Sequence, residues 1–145
     1  MREILFRAKT DNGDWVQGQL LYFKASVGEE EFALMVEGCE WDNSNEWFNL
    51  GKRAKVTPST IGQYTGLTDK SGKKIFDGDI VKLLLKDNIC EIGLIAWSDI
   101  GVRYKFASPD GVAYSVDVTD TFEIIGNIHD NQELLKGGAV RWLNV

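Results

Sequence analysis

The sequence predicts a mainly β protein: an N-terminal β-hairpin region, then a small antiparallel barrel, and one short helix near the C-terminus. Three observations carry that expectation. Short runs rich in Ile, Val, Tyr and Phe recur along the chain, as strands require. Tight-turn residues such as Asp11-Asn12-Gly13 and Pro109-Asp110-Gly111 punctuate them, and no long helical crossover of the kind a parallel sheet needs lies between them.

In order, REILFRAKT and VQGQLLYFKA flank Asp11-Asn12-Gly13 and read as a hairpin, because Asn and Gly tolerate the positive φ of tight turns. EEFALMVEG follows as a third strand, or, given Ala33, Leu34 and Met35, as a short helix. CEWDNSNEWFNL reads as the least regular part, with Trp41, Trp47 and Phe48 covering a core. After Pro58 comes TIGQYTGLTDKSGKKIFDGDIV. Its Asp69-Lys70-Ser71-Gly72 has the Asp and Gly placement of a tight turn. DGDIVKLLL, CEIGLIAWS, VRYKFAS, VAYSVDV and FEIIGNI then read as five short strands of an antiparallel meander closed into a small barrel, since short strands with tight turns favour that closure. Asp87-Asn88, Asp99-Ile100-Gly101 and Thr119-Asp120 are its other turns. DNQELL reads as the helix, with Asp130 as N-cap and Glu133 completing a capping box, and the apolar tail AVRWLNV is expected to dock.

The chain's 145 residues, 43% hydrophobic and 26% charged, suit one domain or two small ones sharing a core; the charge change and Pro58 divide it as 1–57 and 58–145, in two lobes or one compact unit. Five Trp, seven Phe and four Tyr supply the area for a core, each burying on the order of 150–250 Å². Cys39 and Cys90 lack CxxC spacing, and MREILFRAKTD lacks the apolar run of a secretory leader, so a reducing cytoplasm is expected. Every hydrophobic segment is interrupted by charge, well short of the ~20 apolar residues of a membrane span.

The net charge of −6 disfavours wholesale binding to nucleic-acid backbones. It also hides a handover: Glu29, Glu30, Glu31, Glu37, Glu40, Asp42 and Glu46 occur without a base between them, whereas Lys52 to Lys74 holds six bases against Asp69 alone. Such segments are solvated or paired faces within one fold, or complementary surfaces between chains.

TIGQYTGLTDKSGKKIFDGDIV followed by IIGNIHDNQELL, with Arg7-Ala8, Trp15-Val16 and Gly18 near the start, resembles the YopX family of small proteins encoded mainly by bacteriophages and prophages. The resemblance implies an SH3-type barrel, a bacterial host cytoplasm and an unassigned function, and it transfers no catalytic residue. The residues after Leu135 are where this chain departs from the family.

Candidate chemistry is sparse. His129 is the sole histidine, and nothing around it resembles a nucleophile elbow. Two separated cysteines and one histidine fall short of a zinc set. Asp77-Gly78-Asp79 reads as a turn, because it lacks the further oxygen ligands of a calcium loop. The glycines of 62–78 open onto a strand, which excludes a phosphate loop at a helix N-terminus. They read as turn glycines, and Thr65, Gly66, Asp69, Gly72, Asp77, Gly78, Asp79, Gly126 and Asn127 as structural residues.

The leading expectation is therefore a non-enzymatic module for protein contacts, a homo-oligomer or the partner of another phage or host protein, with no cofactor, metal or membrane. The second reading is a small-barrel nucleic-acid binder. Tyr64 with Lys52, Arg53, Lys55, Lys70, Lys73 and Lys74 would form its contact. The third is a hydrolase using a carboxylate pair that no motif singles out.

Overall fold

The computed structural model describes residues 2–24, 31–44, 47–85, 90–111 and 113–135. The chain divides into two compact units, Met1–Tyr64 and Thr65–Val145.

In the first unit, β1 (Phe6–Lys9), β2 (Trp15–Lys24), β3 (Glu31–Asp42) and β4 (Trp47–Val56) pair antiparallel in chain order. The turn at 10–14 closes the first hairpin, with the Thr10 amide donating to Asp14 O at 2.9 Å and the Gly13 amide to Thr10 O at 2.9 Å. The sheet rolls: Thr10 bridges Val56, and the Thr57 amide donates to Lys9 O at 2.8 Å. Tight rolling needs small residues inside. Ala8, Ala33, Met35 and Val56 are buried there, with Phe6, Val16, Leu20 and Ile61 packed against them. At Gly51 a Cβ would lie 2.1 Å from the Glu37 carbonyl oxygen, so β3 and β4 approach too closely for any side chain at that position. A 3-10 turn, Pro58–Thr60, follows β4, and Gly62–Gln63 pairs with β1.

Two expectations are corrected or resolved here. The EFALMVEG part of that segment, from Glu31 on, is strand, because β2 and β4 hydrogen-bond it on both sides and override the helix preference of Ala33, Leu34 and Met35. CEWDNSNEWFNL is not irregular: β3 and β4 run through it as one long hairpin, with Trp41 opposite Phe48 and Asp42 opposite Trp47. The Asp42 carboxylate accepts the Ser44 amide at 2.8 Å and starts the turn. The same ladder pairs part of the acidic segment with part of the basic one inside the chain, setting Glu37 opposite Lys52. Whether Trp41, Trp47 and Phe48 cover a core lies outside the described side chains.

In the second unit, residues 65–68 at the end of β5 (Gly62–Thr68) neighbour β6 (Lys74–Phe76) across the turn at 69–73. Then β7 (Asp79–Leu84), β8 (Cys90–Ser98), β9 (Arg103–Ala107), β10 (Ala113–Ser115) and β11 (Thr121–Asn127) build a five-stranded antiparallel sheet in the order β10-β9-β8-β7-β11. Alternation along the strands loads two apolar clusters. One holds Ile75, Val81, Leu83, Ile95, Phe106 and Phe122, with Tyr104 and Ile124 against it. The other holds Ile80, Leu94, Ala96 and Leu135. This explains why DIVKLL is nearly apolar throughout: a strand buried on both faces has no polar side to present. Trp97 of β8, by contrast, is 43% exposed. It stands at the hairpin end beyond the cluster, edge-on to Tyr104 with ring centroids 5.1 Å apart.

Among the described residues there is no α-helix, which corrects the expectation for DNQELL; Gln132–Leu135 is one 3-10 turn. The Asp130 carboxylate accepts the Asn127 side-chain amide at 3.1 Å, and the turn begins two residues beyond it. The turn serves to bring Leu135 and Leu134 onto the second cluster. The tail AVRWLNV and the Asp87-Asn88 turn lie outside the described residues.

Candidate functional site

The glycine-rich stretch is built around one carboxylate. Asp69 is 8% exposed, and its Oδ1 accepts the amides of Ser71 and Lys73, each at 2.9 Å. Its Oδ2 accepts the amide of Ile124 on β11 at 3.3 Å. The backbone beside it repeats the link, the Asp69 amide donating to Lys73 O at 2.7 Å and the Lys70 amide to Phe122 O at 2.8 Å. Desolvation by burial acts to raise the carboxyl's pKa, but the amides of Lys73, Ile124 and Ser71 and the Lys73 charge outweigh it and hold Asp69 below its ordinary value. A turn thus occupies backbone groups of β11 that would otherwise stand at a sheet edge, where an unpaired strand invites further pairing.

The other motif residues are engaged in the same way. Thr65 Oγ1 donates to Ile75 O at 2.8 Å and accepts the Leu67 amide at 3.1 Å. Asp79, 1% exposed, takes the Phe76 amide on Oδ2 at 2.8 Å. Between them, in the turn holding Asp77, the Gly78 amide donates to Ile95 O at 2.8 Å and Gly78 O accepts the Ile128 amide at 2.8 Å. Gly66, Gly72 and Gly78 have φ of 91°, 84° and 92°, the turn conformation expected of them. Asn127 Oδ1 accepts the amides of His129 at 2.9 Å and Asp130 at 3.0 Å. Gly126 leaves room for Asn131, whose Oδ1 would sit 2.6 Å from a Cβ there.

The residues expected to contact a ligand are only partly gathered. Lys52, Arg53 and Lys55 are exposed on β4 of the first unit, and Lys70, Lys73 and Lys74 are exposed around the turn of the second. Lys70 pairs with Glu123 at 3.0 Å, a surface ion pair worth at most about 1 kcal/mol. Tyr64 is 7% exposed and offers no open ring face for stacking, which corrects its proposed role. Among the described residues no three of His, Cys, Asp and Glu come together as metal ligands, and no helix is long and apolar enough to cross a membrane.

Two features escaped sequence reasoning. A cleft of about 390 Å³ in the second unit is lined by Cys90, Glu91, Ser108, Asp110 and Leu134 among others; residues so far apart in sequence leave no local signal. In the first unit, Arg7 and Lys9 lie 5.0 and 5.5 Å from the centre of the Trp15 ring. The alternate spacing of Arg7 and Lys9 on one strand was the signal available for that group.

Fold and site together define an antiparallel β protein of two small units in which the motif side chains brace turns. The family described as YopX protein matches residues 5–136, and the chain belongs to that family. Among solved structures, the chain is similar to the crystal structure of protein EF1440 from Enterococcus faecalis, with a TM-score of 0.62 and 23% identity over 93% of this chain and 99% of that one. That likeness concerns the fold. No curated protein matches the chain.

Proposed function

We propose that this protein is a non-enzymatic interaction module of phage or prophage origin, acting in the cytoplasm of a bacterial host and associating with a second copy of itself. One observation carries the reading: the β8–β9 hairpin ends in exposed apolar side chains, Ile100 at 64% and Val102 at 72%, next to the half-exposed Trp97. Apolar groups grouped at one tip gain by being covered. Val102 is also held at φ 52°, a strained conformation for a β-branched residue that the turn imposes. The motif side chains point the same way, since Thr65, Asp69, Asp79 and Asn127 are spent on backbone amides and carbonyls. The strand order β10-β9-β8-β7-β11 supports an SH3-type barrel as the scaffold, a small fold that displays its hairpin loops.

Sedimentation velocity tests it. At about 100 μM a dimer with a Kd near 10 μM is mostly associated. Ile100→Ser should shift the boundary to monomer without lowering the melting temperature. A wild-type protein that sediments as monomer at that concentration refutes self-association.

A further inference from the structure

We propose that the cleft at the start of β8 binds a short extended peptide segment carrying an arginine or lysine. This goes beyond self-association and uses the opposite end of β8 from the Ile100 tip. Three consecutive residues, Cys90, Glu91 and Ile92, line the cleft of about 390 Å³. Consecutive strand residues point to opposite faces, so what the three present in common is their main-chain edge. On one side that edge is taken, with Cys90 opposite Leu84, Glu91 opposite Leu83 and Ile92 opposite Lys82 on β7. On the other side the ladder with β9 begins only at Leu94, opposite Ala107.

Pro109 explains why the ladder starts there. Continued in the same register, Ser108, Pro109 and Asp110 would stand opposite Gly93, Ile92 and Glu91. Proline has no N–H to give a ladder, and the chain turns away instead. The Gly111 amide donates to Ser108 O at 3.1 Å and the Asp110 amide to Ser108 Oγ at 3.3 Å. On its β9 side the main chain of Cys90, Glu91 and Ile92 therefore meets no strand among the described residues. An unpaired strand edge captures an extended peptide by accepting it as a further strand.

The side chains around the edge select the occupant. Glu91 and Asp110 both line the cleft, and none of its described lining residues is basic. Oε2 of Glu91 is buried without a hydrogen-bond partner among the described residues, a state that costs free energy until a donor reaches it. An arginine or lysine side chain brings that donor together with the compensating charge. A metal ion fits less well, because no three of His, Cys, Asp and Glu gather as ligands among the described residues. Ile92, Pro109 and Leu134 supply an apolar wall for the residues flanking the cation. The volume lies at the small end of ligand sites, which run from about 300 to 1,000 Å³, and three extended residues span only ~10 Å.

Fluorescence anisotropy with the fluorescein-labelled peptide Thr-Val-Arg-Val-Thr tests the proposal on the full chain. Binding should be measurable with a Kd of about 1 mM or tighter. Replacing the peptide's arginine by glutamate should weaken it at least ~10-fold through charge, and replacing both valines by proline should do the same by removing main-chain donors. Asp110→Asn, at an exposed turn residue, and Glu91→Gln should each weaken binding ~3-fold or more, with circular dichroism and melting reporting that the variants are folded. Hydrogen exchange read by NMR should slow within Cys90–Ile92 when the peptide is added, and not at the β10 edge, Ala113–Ser115. Ile100→Ser should leave peptide binding unchanged, which separates this site from self-association. No anisotropy change at ~1 mM protein overturns the proposal. So does equal binding of the glutamate or proline peptide, unchanged affinity in Asp110→Asn and Glu91→Gln, loss of binding in Ile100→Ser, or slowed exchange at Ala113–Ser115 instead of Cys90–Ile92.

Discussion

Replacing Asp69 by Ala removes one carboxylate and unties three backbone amides. The donors at Ser71 and Lys73 lie in an exposed turn where water takes over the lost bonds, so each costs only about 0.5 kcal/mol. The Ile124 amide is part-buried at 3.3 Å, and leaving it unsatisfied costs about 1–2 kcal/mol. Asp69→Ala should therefore destabilise by about 2–3 kcal/mol, which lowers the melting temperature by roughly 4–12 °C for a chain of this size. Asp69→Asn keeps an acceptor and loses the charge, so it should cost about half as much. The carboxyl is held below its ordinary value although burial opposes this. Its stabilising effect is therefore complete above the unfolded value of about 3.9 and is lost as pH falls through the lower folded value. The gap between wild type and Asp69→Asn in urea denaturation should accordingly be constant at neutral pH and close below about pH 4. An Asp69→Ala protein within ~0.5 kcal/mol of wild type would refute the reasoning, because ordinary surface substitutions fall in that range.

Gly78→Ala should cost about 1–3 kcal/mol by thermal melting, since φ is 92° and the added methyl meets Ile128 Cγ2 at 3.4 Å. Phe106→Ala, at a side chain fully enclosed in the first cluster of the second unit, should cost about 3–5 kcal/mol in urea denaturation. Val102→Gly should raise stability by about 0.5–1 kcal/mol in the same assay, because relief of the strain at φ 52° exceeds the entropy that glycine adds to the unfolded chain.

Strand identity in this protein is written locally. Asp11-Asn12-Gly13, Pro109-Asp110-Gly111 and the β-branched runs between such turns are short-range signals, so the mainly β class, the first hairpin and the strands β7, β8, β9 and β11 could be read directly. Gly66, Gly72 and Gly78 were legible as turn residues for the same reason: positive φ is a property of single residues. What the sequence left open depended on partners distant along the chain. Asp69 reads as a turn aspartate, and only the fold places its second oxygen on the amide of Ile124, 55 residues away. The strand state of EFALMV was decided by ladders on both its sides, and the regularity of the Trp41–Phe48 segment by a long hairpin whose register no local pattern specifies. Tyr64 looked like a stacking platform beside lysines, yet tertiary packing buried it.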